Sequence, residues 1–161
     1  MELALYPGSF DPLTKGHLDI IIRSCSIFDT VLVGVINNPN KKSLFSLEKR
    51  KEMIQRVAEA EGLGSQIQVG SFDGLLVDYV KQKKIKTVIR GLRAVSDFEY
   101  ELALSLMNKG LYPPLETVFL MASHEYSFLS SNLIKEVFQY GGDVTDYLHP
   151  IVMEEMNQIK K

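Results

Sequence analysis

Apolar and polar positions fall into two alternating rhythms along this chain. Residues 3–6 form a short apolar run, and Thr30–Ile36 reads "TVLVGVI", the near-continuous β-branched pattern of a strand covered on both faces. Residues 66–72 and 86–90 and Glu116–Met121 predict three further strands. Between these runs apolar residues recur at three- and four-residue steps, the spacing of a helix face. Thr14 can cap a helix predicted to reach about Phe28, with Leu18, Ile21, Ile22, Cys25 and Phe28 facing inward. Ser46 opens a second, with Leu47, Ile54, Val57 and Ala58 on one side.

"GLLVDYVKQKK" predicts a third helix whose inward residues are Leu75, Leu76, Tyr79 and Val80. "SDFE" at residues 96–99 has the capping-box spacing and predicts a fourth helix to about Asn108, ended by Gly110 ahead of Pro113 and Pro114. "SNLIKEVFQY" predicts a fifth, stopped by Gly141 and Gly142, and Pro150 begins a last one. Five strands alternating with helices predict a single α/β domain over residues 1–161, a doubly wound five-stranded parallel sheet with helices on both faces. In such folds ligands bind at the carboxyl ends of the strands. Every unusual loop in this chain leaves such an end.

The first of these loops, "YPGSFDPLTKGH" (residues 6–17), breaks a core strand with two glycines and two prolines and places His17 in the first turn of the next helix. Gly8 and Gly16 allow close backbone approach, and a helix N-terminus offers free N–H groups to a phosphate. Two readings stand for this loop alone: a phosphate-facing histidine, or a turn histidine bonded to backbone. Lys41 and Lys42 lie on the second loop, where solvated surface lysines are the ordinary case. "IRGLR" ends the fourth strand, and Arg90 there demands an anionic partner. That partner is either a ligand phosphate or a carboxylate among Asp97, Glu99 and Glu101. Ser130 and Ser131 open the fifth predicted helix as caps or as a second phosphate cradle, with Lys135 one turn in.

Composition narrows the class. The 161 residues are 45% hydrophobic, and 18 basic against 20 acidic residues give a net charge of −2. That balance argues against non-specific nucleic-acid binding. No apolar run approaches the ~20 residues of a membrane span, and the start of the chain does not read as an export signal. Cys25 is the only cysteine, which excludes an intrachain disulfide or a cysteine metal cage. It is expected to be a buried thiol in a cytosolic protein. His124 and Glu125 read as exposed loop residues and His149 as surface, and no spacing suggests a protein-held metal site. The rim residues suit phosphoryl or nucleotidyl transfer by positioning and electrostatics.

"TKGH" (residues 14–17) and the late "FLSSNLIKE" resemble the two signatures of the (H/T)xGH nucleotidyltransferase superfamily, and "IRGLRAVSDFEYE" resembles bacterial phosphopantetheine adenylyltransferases. The resemblance spans essentially the whole chain. It implies a Rossmann-like nucleotidyltransferase fold and transfer of the adenylyl group of ATP to 4′-phosphopantetheine, giving dephospho-CoA and pyrophosphate. By resemblance, Ser9, Lys41, Leu76 and Arg90 take positions that bind phosphopantetheine. Ser9, Phe10, His17, Gly91, Leu92, Arg93, Glu101, Tyr126, Ser127, Phe128, Leu129, Ser130, Ser131 and Asn132 take positions that meet ATP, with His17 as the catalytic residue. It further implies Mg²⁺, a homohexamer, and CoA as a product-like inhibitor. Ser9 stands where the family commonly has threonine, Asn132 replaces a third serine, and Leu129 replaces a β-branched residue. The nearest alternatives are a sister enzyme using nicotinate mononucleotide or glycerol 3-phosphate, and a non-catalytic nucleotide sensor on the same fold.

Overall fold

A computed structural model describes all residues except Met1, Pro39, Lys41, Ala94, Lys160 and Lys161, and the side chains of residues 95 and 96 are also outside the described set. Five strands, β1 (Leu3–Gly8), β2 (Thr30–Ile36), β3 (Ile67–Phe72), β4 (Thr87–Leu92) and β5 (Glu116–Met121), form one parallel sheet in the order β3-β2-β1-β4-β5. The helices are α1 (Lys15–Cys25), α2 (Leu47–Ala60), α3 (Leu76–Lys83), α4 (Val95–Leu111), α5 (Ser131–Gln139) and α6 (Pro150–Ile159). The chain runs outward from β1 through β2 to β3 and then crosses back to β4 on the other side of β1, so strand order reverses at β1, the switch point of the doubly wound fold.

Two buried clusters flank the sheet, as covered β-branched strands require. One gathers Val31, Val33 and Val35 with Ile20, Ile21, Ile54, Val57, Ile134 and Val152. The other stacks Leu5, Leu32 and Val88 against Phe72, Tyr79 and Val80. Cys25 is buried in the first cluster, as expected. No helix among the described residues is long and apolar enough to cross a membrane.

Five expectations are corrected. Helix α1 stops at Cys25 rather than near Phe28, because the Ser26 hydroxyl donates back to the Arg23 carbonyl at 2.7 Å. Its inward face carries Ile20 in place of Ile22, which is exposed. Helix α3 begins after Gly74 (φ 76°), which rotates Leu75 into solvent and turns Val77 inward beside Tyr79 and Val80. Gly110 lies within α4, since Tyr112 N–H still reaches the Asn108 carbonyl, and the Pro113-Pro114 pair makes the stop. His149 is not free surface: its Nδ1 accepts from Ile151 N–H at 3.2 Å, and its Nε2 lies 3.4 Å from Glu61.

Candidate active site

The sheet does not stay closed at its carboxyl edge. Strand β1 pairs with β2 along its full length, from Leu3 opposite Thr30 to Gly8 opposite Val35. Against β4 it pairs only at Ala4 and Leu5, opposite Thr87 and Val88. Beyond Leu5 the two central strands part. The gap widens into a cleft of about 510 Å³ walled by Tyr6, Pro7, Gly8 and Ser9 on one side and by Arg90, Gly91 and Arg93 on the other. Thr14, Gly16 and His17 from the start of α1, and Leu129, Ser130, Ser131 and Asn132 from the start of α5, complete it.

His17 sits in this cleft in one defined tautomer. Thr14 caps α1, its hydroxyl accepting from His17 N–H at 3.3 Å. In return the Thr14 N–H donates to His17 Nδ1 at 3.0 Å, completing a capping box in which histidine stands where glutamate usually does. Nδ1 is therefore an acceptor, and the proton of the neutral ring lies on Nε2. Desolvation, reinforced by the Arg93 charge, holds the ring well below the ordinary histidine value, at about 4. At neutral pH His17 is an uncharged N–H donor in a cleft that Arg90 and Arg93 also line. The backbone-bonded reading of this histidine therefore holds at Nδ1, and Nε2 carries no hydrogen bond to another described residue that would prevent it from serving a ligand.

Both arginines are anchored. Arg90 donates through Nε and Nη2 to the Glu101 carboxylate at 2.6 and 2.5 Å, while its Nη1 has only the Pro7 carbonyl at 3.5 Å. Burial opposes the Arg90 charge, but the Glu101 bonds outweigh it and leave the guanidinium more firmly protonated than usual. Arg93 donates from Nε to Asp97 at 3.2 Å and from Nη1 to the Leu129 carbonyl at 3.1 Å, tying the end of β4 to the loop before α5. Burial pushes the Tyr6 phenol up, so the cleft floor stays neutral. The N-terminus of α5 is capped by Ser130 on Leu133 N–H, and the Ser131 hydroxyl donates to the Pro12 carbonyl at 2.8 Å.

Of the residues implied by resemblance, Ser9, His17, Arg90, Gly91, Arg93, Glu101, Tyr126, Leu129, Ser130, Ser131 and Asn132 line this one cleft. Lys41 lies outside the described residues. Phe10 turns its ring away from the wall, with φ 47°, and packs edge-on against Tyr6 and His17 at 5.5 and 5.1 Å between ring centres. That ring fills the space a Cβ on Gly8 would need, at 2.9 Å, so close packing accounts for this glycine. Leu76, Leu92, Ser127 and Phe128 stand off the wall: Leu92 is buried, and Phe128 packs on Tyr147. Lys135 is engaged with Asp11 at 3.3 Å.

Tyr6 and Tyr100 also line the cleft and carried no sequence signal of their own, while Asp97, expected as a carboxylate partner for Arg90, lines it and pairs with Arg93 instead. Tyr6 and Tyr100 could have been suspected only as neighbours of Pro7 and Glu101. Among the described residues no three carboxylate, histidine or cysteine side chains gather as a metal cage.

The chain is similar to known proteins along nearly its whole length. The cytidylyltransferase-like family matches residues 5–137. The phosphopantetheine adenylyltransferase of Heliobacterium modesticaldum is 52% identical over 156 residues, 97% of this chain and 91% of that protein. Its namesake from Alkaliphilus metalliredigens is 49% identical over 98% of this chain and 99% of the relative. Among solved structures, Plasmodium falciparum nicotinic acid mononucleotide adenylyltransferase complexed with NaAD shares the fold at a TM-score of 0.76 and 17% identity, covering 99% of this chain and 96% of that one.

Proposed function

The chain belongs to the cytidylyltransferase-like family and, within it, to the phosphopantetheine adenylyltransferases, and from that premise we propose that it joins ATP to 4′-phosphopantetheine to give dephospho-CoA and pyrophosphate. The observation that carries this reading is the convergence of the loops after β1, β4 and β5 on one cleft, which neutral His17 lines together with the anchored Arg90 and Arg93.

A phosphate oxygen of phosphopantetheine attacks the α-phosphorus of ATP in line, and the bond from that phosphorus to the bridging oxygen breaks as pyrophosphate leaves. Atoms and charge balance without a general base, because the nucleophile is already ionised at pH 7. Two anions must nevertheless be brought together. Arg90, through the Nη1 edge that Glu101 leaves free, and Lys41 hold the acceptor phosphate. Arg93 and the capped start of α5 hold the nucleotide phosphates. His17 Nε2–H donates to the α-phosphate oxygens as charge builds on them, and its neutral state at neutral pH means that no proton needs to be shed first.

Mg²⁺ would accompany the ATP phosphates, and the described residues gather no carboxylate or histidine cage of their own for it. When bound it supplies neutralisation of the pyrophosphate charge. CoA shares the adenylylated end of the product and is expected to compete for the same cleft. We place the reaction in the cytosol, where the buried Cys25 thiol stays reduced. Helix α4 exposes Phe98, Leu102 and Leu106 at four-residue steps, with Met107 and Leu111 alongside, which supports self-association through this face, and the hexamer that the resemblance implies is the assembly we propose.

Stereochemistry tests the displacement. With one diastereomer of adenosine 5′-(α-thio)triphosphate, single in-line attack inverts the configuration at the α-phosphorus. Retention would require a covalent adenylyl-enzyme and would overturn this mechanism.

A further inference from the structure

Asp11 and Arg50 are buried charges that the mechanism above leaves without a task, 4% and 3% exposed. Asp11 follows Phe10 in the loop after β1. Its carboxylate accepts the backbone N–H groups of Leu44 at 2.8 Å and Phe45 at 2.9 Å, and it meets Lys135 of α5 at 3.3 Å. Arg50, in α2, points back beneath the sheet edge. Its Nη1 donates to the Ser9 carbonyl at 2.7 Å and the Ile36 carbonyl at 3.1 Å, while its Nε has no hydrogen-bond partner among the described residues.

These contacts have one geometric consequence. The segment between β2 and α2 starts at Ile36 and reaches α2 through Leu44 and Phe45. Arg50 ties its beginning to Ser9, and Asp11 ties its end to the same loop. Both Ser9 and Ile36 line the cleft, so a buried guanidinium lies directly behind that wall. A buried cation left with an unpaired Nε is costly, and a buried carboxylate that spends both oxygens on the backbone amides of a distant loop, with one lysine beside it, is unusual. Neither is needed merely to continue a helix or a strand.

We propose that Asp11 and Arg50 are positioning residues for the acceptor phosphate: together they pin both ends of the segment that carries Lys41 and Lys42 to the loop that carries Ser9. This inference rests on the reading of function given above, and it predicts a selective defect. Within the nucleotide side of the cleft, Arg93 holds the Leu129 carbonyl and the Ser131 hydroxyl holds Pro12, both independently of Asp11, whose one tie to that side is Lys135 at 3.3 Å. Loosening the pinned segment therefore weakens use of the acceptor and spares use of ATP.

The test is steady-state kinetics of the intact protein with ATP and 4′-phosphopantetheine, using Asp11→Asn, Arg50→Lys and the double variant. Asp11→Asn keeps the shape but opposes an NH₂ to one of the two amides. We expect the KM for phosphopantetheine to rise roughly tenfold or more, the scale of one lost charged hydrogen bond, with the KM for ATP within about twofold. Because both residues hold the same segment, the double variant should show less than the product of the single effects. Glu155→Gln, in the α2–α6 ion cluster away from the cleft, serves as the control that lowers thermal stability without moving either KM.

Equal rises in both KM values, multiplicative effects in the double variant, or unchanged KM values in folded variants would each overturn the proposal. If Arg50→Lys does not fold, Asp11→Asn alone reads the selectivity. Inactivity of the wild-type protein would instead strike the functional reading and the acceptor half of this inference with it. Amide exchange at Leu44 and Phe45 would still test the pinning, with faster exchange in Asp11→Asn supporting it and unchanged exchange refuting it.

Discussion

At the scale of residues, the account turns on the two nitrogens of His17. One is consumed in capping α1, and the other is left as a donor. Removing the ring by His17→Ala should lower kcat by ~10²–10³ while leaving ATP affinity nearly unchanged, because the contact strengthens only as charge develops. Calorimetry beside turnover checks this, and a loss of affinity matching the loss of rate would make His17 a binding residue. The ring should also be slow to take a proton. Its folded value near 4 lies below the 6.5 of the free side chain, so the unfolded chain binds this proton first as pH falls. His17 therefore withdraws stability progressively from pH about 6.5 down to about 4. The melting temperature of the wild type should fall more between pH 7 and 5 than that of His17→Asn, whose side-chain oxygen can still accept from Thr14.

Much of this was legible in the sequence. His17 at a helix start and arginines at a strand end already pointed to phosphate. The carboxylate alternative for Arg90 was legible too, and Glu101 fills it in the free protein. What could not be read was that Asp11 and Arg50 act on backbone groups, since contacts across 33 and 41 residues leave no periodic trace.

At the scale of elements, β2 and β5 are found at their expected bounds because β-branched runs flanked by polar loops leave little freedom. The parting of β1 from β4 after Leu5 was not legible, since it depends on which neighbour each strand finds. The inward face of α3 was misjudged for a related reason: in "GLLVDY" either leucine can start the apolar stripe, and the backbone at Gly74 decides. Tight packing of the central strands gives a direct check. A Cβ on Gly34 would lie 2.7 Å from the buried Leu5 side chain and 3.2 Å from Phe72. Gly34→Ala should cost about 1–3 kcal/mol by overpacking, measurable by urea unfolding. A neutral result would mean that β1 and β2 have slack their register does not suggest.

At the scale of the whole molecule, a slightly acidic chain brings Arg90 and Arg93 to one rim with His17 and the start of α5 because three loops leave the carboxyl ends of neighbouring strands. The opposite concern is the apolar face of α4. Leu106→Asp places a charge at a site 63% exposed in the single chain. It should convert a sedimenting hexamer into smaller species, whereas a wild-type protein that sediments as a monomer would remove the basis for assembly through this face. The central claim is the reaction, and direct product analysis tests it best. ATP is offered with 4′-phosphopantetheine, nicotinate mononucleotide or glycerol 3-phosphate in turn, and pyrophosphate and the adenylylated product are quantified. The account predicts stoichiometric pyrophosphate and dephospho-CoA with phosphopantetheine alone; folded protein that turns over another acceptor instead, or none, would contradict it.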